Sequence, residues 1–324
     1  MPLRVVFFGT AELACATLEA LGTDPRFEVL AVVTQPDKPR GRDLQVQPSA
    51  VKVTALKMHL AVLQPRRARD PAFIEEIRSL GPEVGVVVAY GQILPQSLLD
   101  VPTYGFVNVH TSLLPKHRGA APIQAALLSG DAATGVTIMR MDAGLDTGPI
   151  LSQFSTPITA ADNSQTLHDR LAKIGADLLI QTLPLYTRGE VLPRPQPDGA
   201  TYAAKIEKAH GLINWNEPAE VIERKMRAFT PWPGAYAYFE IGGQSRLVKI
   251  WRARIEDRTA APGTIVNASR GELILACGER AVSLLEVQME GRKRMPIHEF
   301  LAGQEVTRLS PPSSSGGAKP AVPK

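Results

Sequence analysis

The chain has 324 residues, 44% of them hydrophobic and 21% charged, with a net charge of +4. That length holds two ordinary domains, and the composition is that of a globular protein rather than a disordered or fibrous one. Two cysteines, Cys15 and Cys277, exclude a disulfide framework. The longest apolar stretch, Val84–Tyr90, falls far short of the ~20 residues of a membrane-spanning helix. The leading apolar run Leu3–Phe8 is too short for a signal peptide, so a cytoplasmic location is expected.

Leu3–Phe8 reads as a buried strand that turns at Gly9 into a helical pattern over residues 11–21. Gly9 is expected to serve a tight strand-to-helix turn. Phe27–Thr34, Val84–Tyr90 and Phe106–His110 are further β-branched runs, with helical patterns around Ala72–Leu80 and Pro95–Leu99. This alternation predicts a parallel sheet with helices on both faces, the ligand crevice lying outside the carboxyl ends of the strands. Gly9, Tyr90–Gly91 and Asn108–His110 all fall at such ends. Gln35–Ser49 has little apolar periodicity and reads as a long loop, of a kind that is usually functional or disordered. Val191–Gly199, with three prolines, reads as a linker. An amphipathic stretch, Ala219–Phe229, precedes five short strand-like runs between Tyr236 and Gln288, which predict a small β-barrel. The tail from Ser310 has no core-forming residues and is expected to be disordered. The predicted boundaries are 1–189, a linker at 190–204, a barrel domain at 205–309 and a tail at 310–324. Residues 1–205 carry 19 Lys/Arg and 19 Asp/Glu, whereas the rest carries 17 and 13. The whole basic excess therefore sits in the last third, a hint of a polyanionic partner there.

No G-x-G-x-x-G, no G-x-x-x-x-G-K-[ST] and no G-x-S-x-G occurs, so nicotinamide, ATP and an activated serine have no motif behind them. The histidines and the two cysteines show no metal-ligand spacing, and no metal is expected. Asn108 and His110, two apart on a strand, share one face, and Asp146 follows in an Asp-x-Gly-x-Asp-Thr-Gly run. An amide donor, an imidazole and a carboxylate suit acyl transfer by direct attack of a substrate nucleophile. The same residue types could also merely satisfy loop backbone groups at a strand end.

The run NVHTSLLPKHRGAAPIQ, followed by GVTIMRMDAGLDTG, resembles the signature of folate-dependent formyltransferases. FFGTAELA, TQPDKPRGR, VVVAYGQILP, INWN and RAFTPWPGAYA extend the resemblance from Val5 to about Phe300. RGAAPIQ, FTPWPGA and the basic last third are most similar to the branch that acts on methionyl-tRNA. The resemblance implies a Rossmann-like domain followed by an OB-like barrel, 10-formyltetrahydrofolate as donor, methionyl initiator tRNA as acceptor, and a monomer. It assigns Asn108 and His110 to polarising the formyl carbonyl, and Asp146 to pairing with His110 and assisting removal of the amine proton. Ser112, Leu113, Leu114 and Pro115 would contact the folate, and backbone of Ala89, Tyr90, Gly91, Gln92, Ile93 and Leu94 would cradle the pterin. The Gln35–Ser49 loop, with Lys38, Arg40 and above all Arg42, would reach the tRNA. Ala11 replaces the proline of many relatives, and this loop has fewer lysines than some.

On the barrel, Arg252 and Arg254 share one strand face; with Lys249 and Lys293 they are candidate phosphate contacts, or else part of a solvated face. Trp232, between two prolines, is expected to anchor a domain junction. Two rivals remain, a formyltransferase for an amino sugar nucleotide and a non-catalytic RNA-binding protein.

Overall fold

The computed structural model describes residues 1–40, 45–269 and 271–311. The chain divides into two compact units, one of Met1–Ala126, Asp131–Ala160 and Thr166–Ala204, the other of Leu127–Gly130, Ala161–Gln165 and Lys205–Lys324.

In the first unit the strands are β1 (Leu3–Gly9), β2 (Phe27–Val33), β3 (Lys38–Arg40), β4 (Gln45–Gln47), β5 (Val62–Leu63), β6 (Val84–Val88), β7 (Phe106–His110), β8 (Arg118–Gly119), β9 (Ala133–Arg140), β10 (Ile150–Pro157) and β11 (Tyr202–Ala203). The helices are α1 (Cys15–Thr23), α2 (Ala50–Lys57), α3 (Pro71–Ser79), α4 (Gln96–Leu99), α5 (Pro122–Ser129) and α6 (Ser164–Thr187), the last two shared with the second unit. Among the described residues, seven strands form one sheet in the order β10-β9-β7-β6-β1-β2-β5. β6 and β7 are buried at every position, as expected of strands covered on both faces. The five strands from β7 to β5 run parallel. β9 and β10 are antiparallel additions at one edge, which the helix–strand alternation did not foretell.

Val6, Phe8, Val87 and Phe106 bury one face of the sheet against Phe73, Ile74 and Ile77 of α3 and Leu98 and Leu99 of α4. α3 begins with Pro71, and its apolar residues recur at the helical spacing that makes one buried stripe. On the opposite face α6 approaches so closely that a Cβ on Gly175 would lie 2.7 Å from Val109 Cγ1. Gly9 lacks the left-handed backbone of a turn glycine. A Cβ there would meet Phe7 Cε1 at 2.8 Å and Ala14 Cβ at 2.9 Å, so close packing, not turn geometry, requires glycine. The chain builds β2 and β5 on one side of β1, then returns to build β6 and β7 on the other. That reversal opens a crevice at the strand carboxyl ends.

Two segments read as irregular carry backbone pairing among their described residues. The ends of the Gln35–Ser49 loop pair as an antiparallel hairpin, Lys38 with Gln47 and Arg40 with Gln45. The stretch read as a linker packs within the first unit: Arg194 exchanges backbone hydrogen bonds with Ile150, and β11 pairs with β8.

The second unit contains α7 (Ala219–Ala228), α8 (Ile297–Gly303), β12 (Ala235–Ile241), β13 (Gln244–Glu256), β14 (Ile265–Asn267), β15 (Leu273–Ala276), β16 (Ala281–Met289), β17 (Met295–Pro296) and β18 (Val306–Leu309). All its strand pairings are antiparallel, in the order β14-β15-β16-β13-β12-β18, with β17 on β16. The end strands β14 and β18 lie near each other, giving a nearly closed barrel. Ala219, Ile222 and Met226 of α7 pack into its core with Phe239, Ile250 and Val287.

Candidate active site

Asn108 and His110 stand on the last three residues of β7, 9% and 5% exposed. Strand alternation sets both on the face of Phe106. Asp146 comes from the loop between β9 and β10 in a left-handed conformation, φ +54°. Its Oδ1 accepts from Asn108 Nδ2 at 3.4 Å, and its Oδ2 lies 3.7 Å from His110 Nδ1. The same Oδ2 accepts from the Gly119 backbone N–H at 2.8 Å. Folding thus brings together the three residues singled out from sequence.

The other ring nitrogen of His110, Nε2, lies 3.0 Å from the His117 carbonyl oxygen. A carbonyl only accepts, so Nε2 carries the proton and the neutral ring keeps its lone pair on Nδ1, toward Asp146. Burial pushes the His110 pKa below the ordinary histidine value; Asp146 and the His117 carbonyl oppose that shift without overcoming it. His117 is itself buried and left-handed, φ +58°. Its Nε2 pairs with Asp131 Oδ2 at 2.7 Å, and its N–H donates to Thr201 Oγ1 at 2.9 Å.

Gly119 (φ +116°) has no room for a side chain, because a Cβ would sit 2.7 Å from the Ala203 carbonyl oxygen. The Asp146 loop is also held from behind. Gln196 Nε2 donates to the carbonyls of Asp146 and Gly148, both at 2.8 Å, while Oε1 accepts from Arg118 Nη2 at 2.7 Å and Nε at 3.1 Å.

The expected folate residues fall into two groups. Ser112 is fully buried and its Oγ donates to the Lys116 carbonyl at 2.6 Å. Leu114 packs with Met139 and Ile150, and its N–H donates to Thr137 Oγ1 at 3.1 Å. With Leu113 and Pro115, these residues make an ordered turn between β7 and β8. The second group follows β6: Ala89 and Gly91 are left-handed, φ +45° and +82°, and Ile93 is 88% exposed while Leu94 is buried. The Tyr90 carbonyl accepts from Thr10 Oγ1 and Gln35 Nε2, both at 2.8 Å. Gln92 Oε1 accepts from the Ala68 N–H at 2.9 Å.

Of the residues expected to meet tRNA, Arg42 lies outside the described residues, as does the side chain of Arg40. Lys38 Nζ donates to Gln35 Oε1 at 2.5 Å. Lys249 is half-buried, donates to the Pro233 carbonyl at 2.8 Å and lies over the Trp251 ring; burial holds its pKa below the ordinary lysine value. Arg254 pairs with Glu256 at 2.6 Å. Arg252 and Lys293 are exposed. Trp232 is 56% exposed. Sequence reading gave no role to His117, Gly119, Asp131, Gln196 or Thr201: the first two lie inside the run NVHTSLLPKHRGAAPIQ and the others outside every quoted motif, and their contacts span up to 84 residues. Among the described residues no group of three His, Cys, Asp or Glu side chains could hold a metal ion, and no helix is long and apolar enough to cross a membrane.

Residues 3–183 match the formyl transferase family, and residues 205–305 match the formyl transferase C-terminal domain. The chain belongs to the formyltransferase family. It is 47% identical over 305 residues to the methionyl-tRNA formyltransferase of Citrifermentans bemidjiense, an alignment covering 94% of each chain. It is 48% identical over 304 residues to that of Dechloromonas aromatica, covering 93% of this chain and 96% of the relative. The fold is that of the N-formyltransferase from Helicobacter canadensis solved with folinic acid and dTDP-3-aminofucose, with a TM-score of 0.65 at 18% identity over 91% of this chain and 100% of that one. HypX from Aquifex aeolicus, solved with tetrahydrofolic acid, shares the fold at a TM-score of 0.59 and 16% identity over 93% of this chain. The chain spans 47% of HypX's length.

Proposed function

We propose that this enzyme transfers the formyl group of 10-formyltetrahydrofolate to the α-amino group of methionyl initiator tRNA. The observation that carries the reading is the convergence of Asn108, His110 and Asp146 in a chain 47% identical to a methionyl-tRNA formyltransferase over nearly its full length. The residues after β6 fit a folate head group. Ala89 and Gly91, both left-handed, place no long side chain after the strand end, and the exposed Ile93 offers an apolar face. A flat heteroaromatic ring with donor and acceptor edges is suited to that combination.

When bound, the donor supplies an activated formyl carbon, attacked by the free amine of the acceptor. The new C–N bond forms, the carbonyl oxygen gains negative charge, and the bond from carbon to the donor's nitrogen then breaks. Asn108 Nδ2 is the neutral donor available to that oxygen, and such a donor acts most strongly in a site that excludes water. The resemblance gave His110 a share in polarising that carbonyl; with Nε2–H held by the His117 carbonyl the neutral ring has no second donor, so in this reading His110 instead accepts the amine proton at Nδ1. Asp146 then faces an imidazolium and stabilises it, and His110 returns the proton to the departing nitrogen, so one proton enters and one leaves. The His117 carbonyl keeps Nε2–H occupied, leaving Nδ1 as the working nitrogen. The exposed Arg252 and Lys293 on the barrel would meet phosphates of the acceptor.

The test is formyl transfer to charged initiator and elongator methionyl-tRNA, with an amino sugar nucleotide in parallel. Formylation of the initiator alone is expected. Formylation of the sugar alone would overturn the acceptor while keeping the chemistry.

A further inference from the structure

Residues 184–204 lie between the two stretches that match the formyltransferase family, and a proline-rich spacer there would need no particular side chains. The observed segment is otherwise. Its backbone is fixed by Arg194 against Ile150 and by β11 against β8. The Gln196 amide has two N–H bonds and one carbonyl oxygen, and all are used: Nε2 donates to the carbonyls of Asp146 and Gly148, and Oε1 accepts a forked pair from Arg118. Asp146 itself is left-handed, φ +54°, a conformation that is strained for a non-glycine residue and persists only where neighbours hold it. Further on, Thr201 Oγ1 accepts from the His117 N–H at 2.9 Å, and the His117 carbonyl is the partner of His110 Nε2. One short strap thus reaches both acid–base members of the site from behind, touching neither directly at its reacting atoms.

From this we infer that the segment 194–203 is part of the catalytic apparatus, with Gln196 the positioning residue that holds the Asp146 carboxylate against His110 and Asn108. The inference deepens the proposed function and rests on that reading. Gln196 need never touch either substrate. It acts by fixing the carbonyl oxygens on either side of Thr147, so that the Asp146 carboxylate cannot swing from Gly119 N–H and His110 Nδ1. A misplacement of about 1 Å in such a group can cost about 100-fold in rate.

The experiment uses the full-length enzyme and two readouts. Gln196→Met keeps the side chain's length and removes all four hydrogen bonds. Steady-state formylation of charged initiator tRNA should show kcat lowered roughly 10- to 100-fold, with KM for donor and tRNA within about threefold. In parallel, ¹⁵N-histidine NMR of the free enzyme follows His110, whose titration should move to lower pH once Asp146 no longer supports the imidazolium. Both changes together sustain the proposal, and either readout unchanged overturns it. Should Gln196→Met fail to fold, Gln196→Glu keeps an acceptor for Arg118 and loses both donations; a kcat within twofold of wild type would then overturn the proposal. The NMR arm needs no substrate. A wild-type enzyme inert toward methionyl-tRNA therefore overturns the proposed function alone and leaves the titration to decide the role of Gln196.

Discussion

The sheet unit and the barrel deploy their polar groups in opposite ways. In the first, Asn108 and His110 are buried at one strand end, and both have partners in Asp146 and the His117 carbonyl. In the second, the cations are dispersed: Arg252 and Lys293 face solvent, the exposed Arg254 is taken up by Glu256, and the half-buried Lys249 is bound to a carbonyl beside Trp251. Electrostatic interactions in a dry site are strong and specific, whereas those between exposed charges are weak and screened by salt. The proposed reaction centre, built the first way, would depend on single atoms. A docking face built the second way, as proposed for the barrel, would depend on the sum of many weak attractions.

Substitutions should therefore cost much in one unit and little in the other. Asn108→Ala is expected to lower kcat by about 10²–10³, the usual loss of one oxyanion donor; a kcat near wild type in steady-state assays would remove it from the mechanism. Gly119→Ala should come next. The new Cβ would press on the Ala203 carbonyl in a backbone region that disfavours side chains, costing about 1–3 kcal/mol of stability. Chemical denaturation would read that cost directly, and an unchanged midpoint would show that the β8–β11 pairing gives way. Paired reversal at Arg252 and Arg254 should weaken tRNA binding by only about tenfold and flatten the salt slope by roughly one for each phosphate no longer neutralised, with donor KM unaltered. Unchanged affinity and slope would mean that this barrel face does not meet tRNA.

The smallest expected effect is on pH dependence. Burial lowers the His110 pKa, while Asp146 and the His117 carbonyl raise it and the His117 ring lowers it further; Asp131 faces His117 from the far side. The net shift is downward, so His110 stays neutral to lower pH than a free histidine. The rise of kcat on the acid side should then lie below pH ~6.5. Stability moves in the same direction: below that pH the unfolded chain binds the proton first, so stability falls as pH drops toward the folded value. An acid limb above the ordinary histidine value would contradict a buried, neutral His110.

Much of this was legible in the residues themselves. The buried runs at Leu3–Phe8, Val84–Val88 and Phe106–His110 announced strands because β-branched and aromatic residues best fill a sheet covered on both sides. Asn108 and His110 announced a shared face because strand geometry fixes period two. The antiparallel β9 and β10 were less visible: Thr134, Gly135, Thr137, Ser152 and Ser155 blur the alternation, and pairing with β7 is decided across the sheet. The pairing of Lys38–Arg40 with Gln45–Gln47 escaped for a similar reason, since Pro39 and the glutamines of Gln45–Gln47 carry no strand pattern.

The sequence by itself determined the central parallel strands, the barrel strands from β12 to β16, four of the described α-helices, the uneven charge, and Asn108, His110 and Asp146 as candidates; it did not reveal α2, α5, α8 or the long α6. Tertiary structure alone decided which nitrogen of His110 is free, why Gly119 must be glycine, and that a proline-rich stretch closes over the Asp146 loop. The physical reason is range. Periodicity and short motifs record interactions within a few residues, whereas Gln196 and Asp146, or Thr201 and His117, meet only after the sheet has folded, 50 and 84 residues apart.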